Sequence, residues 1–199
     1  LDKAIKCLNQ AYYRIDKYQK KDYPIEVFLR LPMYLQAAGK YDEALKLLNQ
    51  YLEHMIPIIE EHGGTIDKFM GDGIMVFWGA PKSLSHKEQA RFSTECARKM
   101  QHEMKLLNQE WQNHSGIPSI KMRIGISFGK AVVGNFGNDK RSDYSAIGPD
   151  VNLAARIESV CSPGEVFVSE AISSLADTVD CKECGELELK GISEPVKLF

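Results

Sequence analysis

Apolar residues recur at helical spacing at the start of the chain, where Ala4, Leu8, Ala11, Tyr12 and Ile15 share one stripe. Pro24 interrupts this pattern, and residues 1–50 are expected to be helical in two segments. Within them the run from Leu35 to Leu48 has the look of the turn and second helix of a tetratricopeptide-type unit. One such unit cannot bury its own apolar face, and no clear second copy occurs at a fixed period. It is therefore expected to pack on the next part of the chain or to serve as a linker. A second stripe, formed by Leu45, Leu48, Leu52, Met55, Ile56 and Ile59, predicts a helix to His62 that Gly63-Gly64 ends.

The period then changes. Thr65–Phe69 and Ile74–Trp78 are strand candidates around Gly71-Asp72-Gly73, which predicts a tight hairpin with Asp72 at its tip. His86–Trp111 is expected to be a long helix with Ala90, Ala97, Met100, Met104, Leu107 and Trp111 on one face. Ile120–Phe128 alternates as a strand, with Ala131–Phe136 a candidate continuation past Gly129, and the polar stretch from Gly137 to Ser142 reads as a loop. Tyr144–Ile147 is a strand feeding a helix over Pro149–Val160. Ser162-Pro-Gly is a turn, Val166–Ser169 a strand, and Leu187–Phe199 a closing hairpin. Helices and strands alternate with hairpins among them, so the expected architecture is an α/β sandwich on a mixed sheet. No Gly-x-Gly-x-x-Gly follows a strand, which argues against a doubly wound dinucleotide fold.

Composition narrows the function classes. The 199 residues are 44% hydrophobic and 26% charged, which suits a globular domain able to bury a core without disulfides or a structural metal. The formal net charge of −2 gives no electrostatic footprint for nucleic acid, so any phosphate-binding charge must be local. No apolar run reaches membrane-spanning length and no secretory signal stands out, so a cytoplasmic setting with free thiols is expected. Cys181 and Cys184 have the spacing of half a zinc site or a redox pair. No second pair accompanies them, and they read as ordinary strand residues.

Three longer segments carry chemistry: His62-Gly-Gly-Thr-Ile-Asp-Lys-Phe-Met-Gly-Asp-Gly-Ile-Met-Val-Phe-Trp-Gly-Ala-Pro, Met122-Arg-Ile-Gly-Ile-Ser-Phe-Gly, and Tyr144-Ser-Ala-Ile-Gly-Pro-Asp-Val-Asn-Leu-Ala-Ala-Arg-Ile-Glu. With the closing Leu189-Lys-Gly-Ile-Ser-Glu-Pro-Val, they resemble, in order, the class III adenylate and guanylate cyclase catalytic domain. The resemblance covers about residue 45 to residue 199. It implies a ferredoxin-like mixed sheet with flanking helices over 45–199, preceded by a helical leader over 1–44.

The resemblance also implies roles. Asp72 corresponds to the second of two metal-binding aspartates, which would hold two divalent ions, magnesium or manganese. Lys68 stands where ATP-selecting members place a purine-contacting lysine, and its N–H donors suit an adenine ring nitrogen. Ser145 falls at the second base-reading position. Asn152 and Arg156, four apart on one helix face, correspond to the ribose-orienting and transition-state residues. Lys190 matches a lysine that contacts the outer phosphates. Members of the family build the site between two chains, so a head-to-tail homodimer binding ATP is implied.

Two departures stand out. The first metal aspartate should lie on a strand near Val27–Leu31, yet Arg30 is close to its place, and Glu26 and Asp22 are out of register. Alternatively the helical leader replaces that strand. Pro149-Asp150 also stands where the family often has Asp-Thr. Two functions are compatible with this pattern: an enzyme forming cyclic AMP, or a cyclase-homology module that dimerises and binds ATP without turnover. A diguanylate cyclase would need a Gly-Gly-(Asp/Glu)-Glu-Phe hairpin, which Met70-Gly-Asp-Gly-Ile is not.

Overall fold

The computed structural model describes residues 41–115, 119–176 and 180–199. The expected helical leader up to residue 40, the strand near Val27–Leu31 and the candidates Arg30, Glu26 and Asp22 lie outside the described residues.

Helix α1 (Tyr41–Glu61) is continuous across the expected boundary at residues 44 and 45. Its buried face differs by one register from the expected stripe. Ala44, Leu47, Tyr51, Met55, Ile58 and Ile59 are buried, while Leu45, Leu48, Leu52 and Ile56 are half-buried flanks. The helix is apolar over more than one stripe, and contact with α2 (His86–Ser115) selects which part goes inside. Gly63 ends α1 in the left-handed region at φ 67°, where the amide N–H groups of Gly63 and Gly64 donate to Glu60 and Ile59 carbonyls.

Strands β1 (Thr65–Met70) and β2 (Gly73–Phe77) form the predicted antiparallel hairpin around Gly71-Asp72. Strand β3 (Ile124–Ile126) pairs in parallel with β6 (Val166–Val168). It is shorter than the expected Ile120–Phe128 run. Ile120 is held instead by the buried Asn108 side chain, which donates to its carbonyl and accepts from its amide, both at 2.7 Å. Residues past Gly129 do not continue β3. Val132–Asn138 (β4) instead pairs antiparallel with Arg141–Ile147 (β5). The stretch read as a loop is thus a hairpin, closed by Asn138 Oδ1, which accepts from the Lys140 and Arg141 amides. Most of its residues are exposed, so no burial alternation betrays the strands.

Helix α3 (Pro149–Val160) forms over the predicted span, followed by the short helix α4 (Glu170–Leu175), which the pattern did not suggest. Strands β7 (Gly185–Leu187) and β8 (Val196–Leu198) complete the closing hairpin. Among the described residues the strands form four two-stranded ladders, one parallel and three antiparallel, and a Ser169–Leu198 bridge joins the end of β6 to β8, so the pairing is mixed.

Three apolar clusters hold these parts together. The first joins α1 and α2 around Met55, Ile59, Met104, Leu107 and Trp111. The second lies between α2, β3, β6 and α4, around Ala97, Ile126, Val168 and Ile172. The third places Ile157 of α3 against Phe167, Leu189 and Leu198. Helix α3 approaches β3 closely because residue 125 is glycine. A Cβ there would stand 2.3 Å from the Glu158 backbone nitrogen and 2.6 Å from the Ala154 carbonyl oxygen. Gly125→Ala is therefore expected to force α3 off the sheet and cost about 2–3 kcal/mol in urea unfolding, the range of an overpacked core. A variant as stable as the parent would contradict this packing.

Candidate nucleotide site

The site grows from an irregularity in β1. Pairing with β2 runs Ile66 to Val76, then Lys68 to Met75, leaving Asp67 as the extra residue of a β-bulge. In a regular strand, neighbours 67 and 68 would point to opposite faces. The bulge breaks that alternation and aims both side chains at β5. The Asp67 side chain is only 1% exposed, and its Oδ2 accepts from the Ser145 hydroxyl at 2.9 Å and the Ala146 amide at 3.0 Å. The Lys68 ammonium donates to Ser145 Oγ at 3.0 Å and lies 3.4 Å from Asp67 Oδ1. Lys68 remains half-exposed at 49%, whereas Ser145 is 4% exposed. The two predicted base-contacting residues thus meet within one chain.

From Ser145 the chain runs directly into α3, which carries Asn152 and Arg156, both exposed. The start of α3 is fixed by Asp150, which in the sequence stands out only as a departure from the family pattern. Its carboxylate accepts from the Lys130 amide at 2.8 Å, and its carbonyl accepts from Ser127 Oγ at 2.5 Å. Lys190 lies on the β7–β8 connection, next to the buried Leu189. Since Leu189 packs in the cluster of Ile157, and Ile157 follows Arg156, the Lys190 loop is tied to the same helix.

Asp72 occupies a different corner. Burial pushes its carboxyl up to about 6; the Glu158 carboxylate adds to the rise, while its own backbone hydrogen bond and the Arg123 guanidinium oppose it. Arg123 and Glu158 form a 2.9 Å ion pair there, with the Arg123 side chain 10% exposed. The Tyr51 hydroxyl is raised as well, by burial first and then by Asp72. Glu158 is two residues from Arg156, so on the helix the two point in nearly opposite directions. Within one chain, the Asp72 corner therefore lies against one side of α3, and Arg156 and Asn152 project from another.

Asp72 suits a hard cation, being an oxygen donor in a partly shielded place where another carboxylate already repels it. Among the described residues, however, no group of three or more His, Cys, Asp or Glu side chains could hold a metal ion. Asp72 by itself does not complete such a site.

Asp67, Arg123 and Glu158 are not distinguished by sequence pattern alone. The adjacent polar pair Asp67-Lys68, inside an otherwise apolar strand, was the available signal for a bulge. Cys181 and Cys184 precede β7 rather than lying in a strand, and both are free. Cys96 and Cys161 are buried thiols, pushed up to about 12 and about 11 chiefly by burial. No described helix is long and apolar enough to cross a membrane.

Comparison with known proteins agrees with this geometry. Residues 28–199 match the adenylate and guanylate cyclase catalytic domain. Adenylate cyclase 1 of Rhizobium meliloti is 30% identical over 164 residues, covering 79% of this chain and 24% of that protein. The terminal-differentiation-specific adenylate cyclase of Dictyostelium discoideum is 32% identical over 164 residues, covering 79% of this chain and 7% of its own length. The chain thus spans a quarter or less of these relatives. Among solved structures, the adenylyl cyclase CyaB from P. aeruginosa is 40% identical with a TM-score of 0.79, covering 87% of both chains. The guanylyl cyclase Cya2 is 38% identical with a TM-score of 0.72, covering 79% of both. Likeness to one ATP-type and one GTP-type cyclase at similar identity leaves the choice of base to individual side chains. On the match across most of its length, the chain belongs to the adenylate and guanylate cyclase catalytic domain family.

Proposed function

We propose that this chain is an adenylate cyclase domain, converting ATP to 3′,5′-cyclic AMP and pyrophosphate in a head-to-tail homodimer with two composite sites. The observation that carries the choice of nucleotide is the Lys68 ammonium held at Ser145 on a half-exposed side chain, with N–H donors to spare for a purine edge. Adenine offers a bare ring nitrogen there, whereas guanine carries an N–H. The homodimer is supported by the opposed faces of α3: Asp72 lies near Glu158, and Arg156, two residues before it, projects from nearly the opposite side, so a second copy is the proposed means of bringing them together.

Each side chain then has a task. Asn152 orients the ribose. Arg156, always charged and forked, steadies the charge that gathers on the α-phosphate as the 3′-hydroxyl attacks and pyrophosphate leaves. Lys190 meets the outer phosphates. Asp72 is the proposed carboxylate for the divalent ions, magnesium or manganese, typical of the family; when bound, these supply charge neutralisation and activate the hydroxyl. Residues 1–44 are proposed as a leader to the catalytic domain of 45–199, joined to it without a break by α1.

A second reading, a cyclase-homology module that dimerises and binds ATP without turnover, is favoured by one observation: no group of three or more His, Cys, Asp or Glu side chains among the described residues could hold a metal ion. Incubation with ATP, GTP and manganese, with both cyclic products measured, separates the two. The enzyme yields cyclic AMP; the module binds ATP and yields neither product. For the enzyme, Asp72→Ala and Arg156→Ala are each expected to lower product formation about a hundredfold or more. Mixing the two variants should restore about a quarter of the parent rate, because half the dimers are mixed and each holds one intact site. Mixtures as inactive as either variant would contradict the composite site.

The raised Asp72 carboxyl has a consequence for stability. Its folded-state value of about 6 lies above the ordinary 3.8, so the native state holds that proton more tightly. This contribution is fully present below about pH 4 and is lost as pH rises through about 6. In chelator, Asp72→Asn is expected to be more stable than the parent at pH 7.5 by about 1–2 kcal/mol, allowing for partial exposure. The gap should close toward pH 4.5, and manganese should stabilise the parent but not the variant. A gap that stays constant with pH would refute the burial account.

A further inference from the structure

Asp67 has a side chain as buried as any in the core, and the proposed chemistry leaves it without a task. Its two oxygens are divided. Oδ2 takes the Ser145 hydroxyl and the Ala146 amide, which fastens β1 to β5, while Oδ1 faces the Lys68 ammonium 3.4 Å away. We propose that Asp67 and Ser145 form a two-point seat for the Lys68 ammonium, and that this seat makes the lysine a discriminator between purines. Asp67 acts as a positioning residue. The proposal rests on the reading that Lys68 meets the purine.

Hydrogen-bond chemistry fixes the directions. An ammonium only donates and a carboxylate only accepts. Ser145 must therefore give its single O–H to Asp67 and accept from Lys68 through its oxygen. At 4% exposure, with its O–H given to Asp67 and one lone pair taken by Lys68, Ser145 acts on the base through Lys68. One ammonium N–H goes to Ser145, the Asp67 carboxylate attracts the charge from 3.4 Å, and the exposed side of the ammonium is left for a ligand.

A lysine donor alone is a poor discriminator. Its four-carbon stem is flexible, and a free ammonium could swing from an adenine ring nitrogen to the neighbouring guanine carbonyl oxygen. Held at two points, the ammonium keeps its remaining N–H at the ring nitrogen. There adenine accepts, while guanine or hypoxanthine presents an opposing N–H. The bulge at Asp67 is what allows consecutive strand residues to build this seat, since regular alternation would separate them.

The test measures binding of ATP and of inosine triphosphate, whose base carries a ring N–H and a carbonyl but no exocyclic amino group, to the dimeric protein. Asp67→Asn separates the two halves of the side chain. Its amide oxygen still accepts from Ser145 and Ala146, but its NH₂ group now faces Lys68 and expels the ammonium. The parent should prefer ATP. Asp67→Asn and Ser145→Ala should each cut that preference about tenfold, the scale of one directed hydrogen bond. The thermal midpoint of Asp67→Asn should stay near that of the parent. In a Lys68→Met background, neither change should alter the ratio further. The seat is overturned if Lys68→Met abolishes the preference while Asp67→Asn leaves it intact, or if Asp67→Asn weakens both nucleotides equally. A preference for ATP that survives Lys68→Met, or a parent without one, overturns the base-reading role of Lys68 and the seat with it.

Discussion

The junction of β1 and β5, where the proposed nucleotide site begins, depends on one buried carboxylate in an irregular strand. Asp67 gives up regular pairing within β1 and in return fastens that strand to β5 through Ser145 and Ala146. Leaving such a carboxylate without donors inside a protein would cost more than the bonds themselves contribute, so the contact specifies position as well as adding stability. From this fixed point the chain runs through β5 into α3, and the residues at 145, 152 and 156 inherit their placement from it.

Helix α3 is the second organising element, because each of its sides serves a different neighbour. Gly125 lets its backbone settle against β3, Ile157 carries it into the core shared with Leu189, and Glu158 turns toward Arg123 and Asp72. The remaining pair, Asn152 and Arg156, stands in solvent. Among the described residues, these two exposed, costly-to-order polar side chains on a well-anchored helix make no side-chain hydrogen bond or ion pair. Their rigidity is supplied by the opposite face.

Much of this was legible in the sequence for a physical reason. Gly71-Asp72 between apolar runs gives a hairpin, and Pro149 with the run to Val160 gives a helix of the observed span. The four motifs that carried the family resemblance contain all the predicted site residues. The rest escaped because its cause is tertiary. The buried face of α1 follows from α2, not from its own stripe. Strands were expected at Ala131–Phe136 and Tyr144–Ile147, but the exposed stretch between them lacks the alternation that would have shown their ends and their pairing. Asp67 looked like strand polarity, because a bulge cannot be told from a regular strand without knowing the partner's register.

The same distinction bears on the two carboxylates of the β1–β2 hairpin, five residues apart and opposite in environment. Asp67 is buried among donors and an ammonium, so desolvation is offset where it stands. Asp72 is shielded from water with a like charge nearby, and its carboxyl is raised accordingly. The first is a satisfied group that holds geometry; the second is electrostatically strained, with Arg123 shared between it and Glu158. A protein retains an unfavourable charge where a ligand relieves it, and Asp72 sits on the side of α3 that Asn152 and Arg156 do not face. On the proposed function, the hairpin and the helix would each supply half of a site, and a second copy of the chain, turned head to tail, would close one half upon the other.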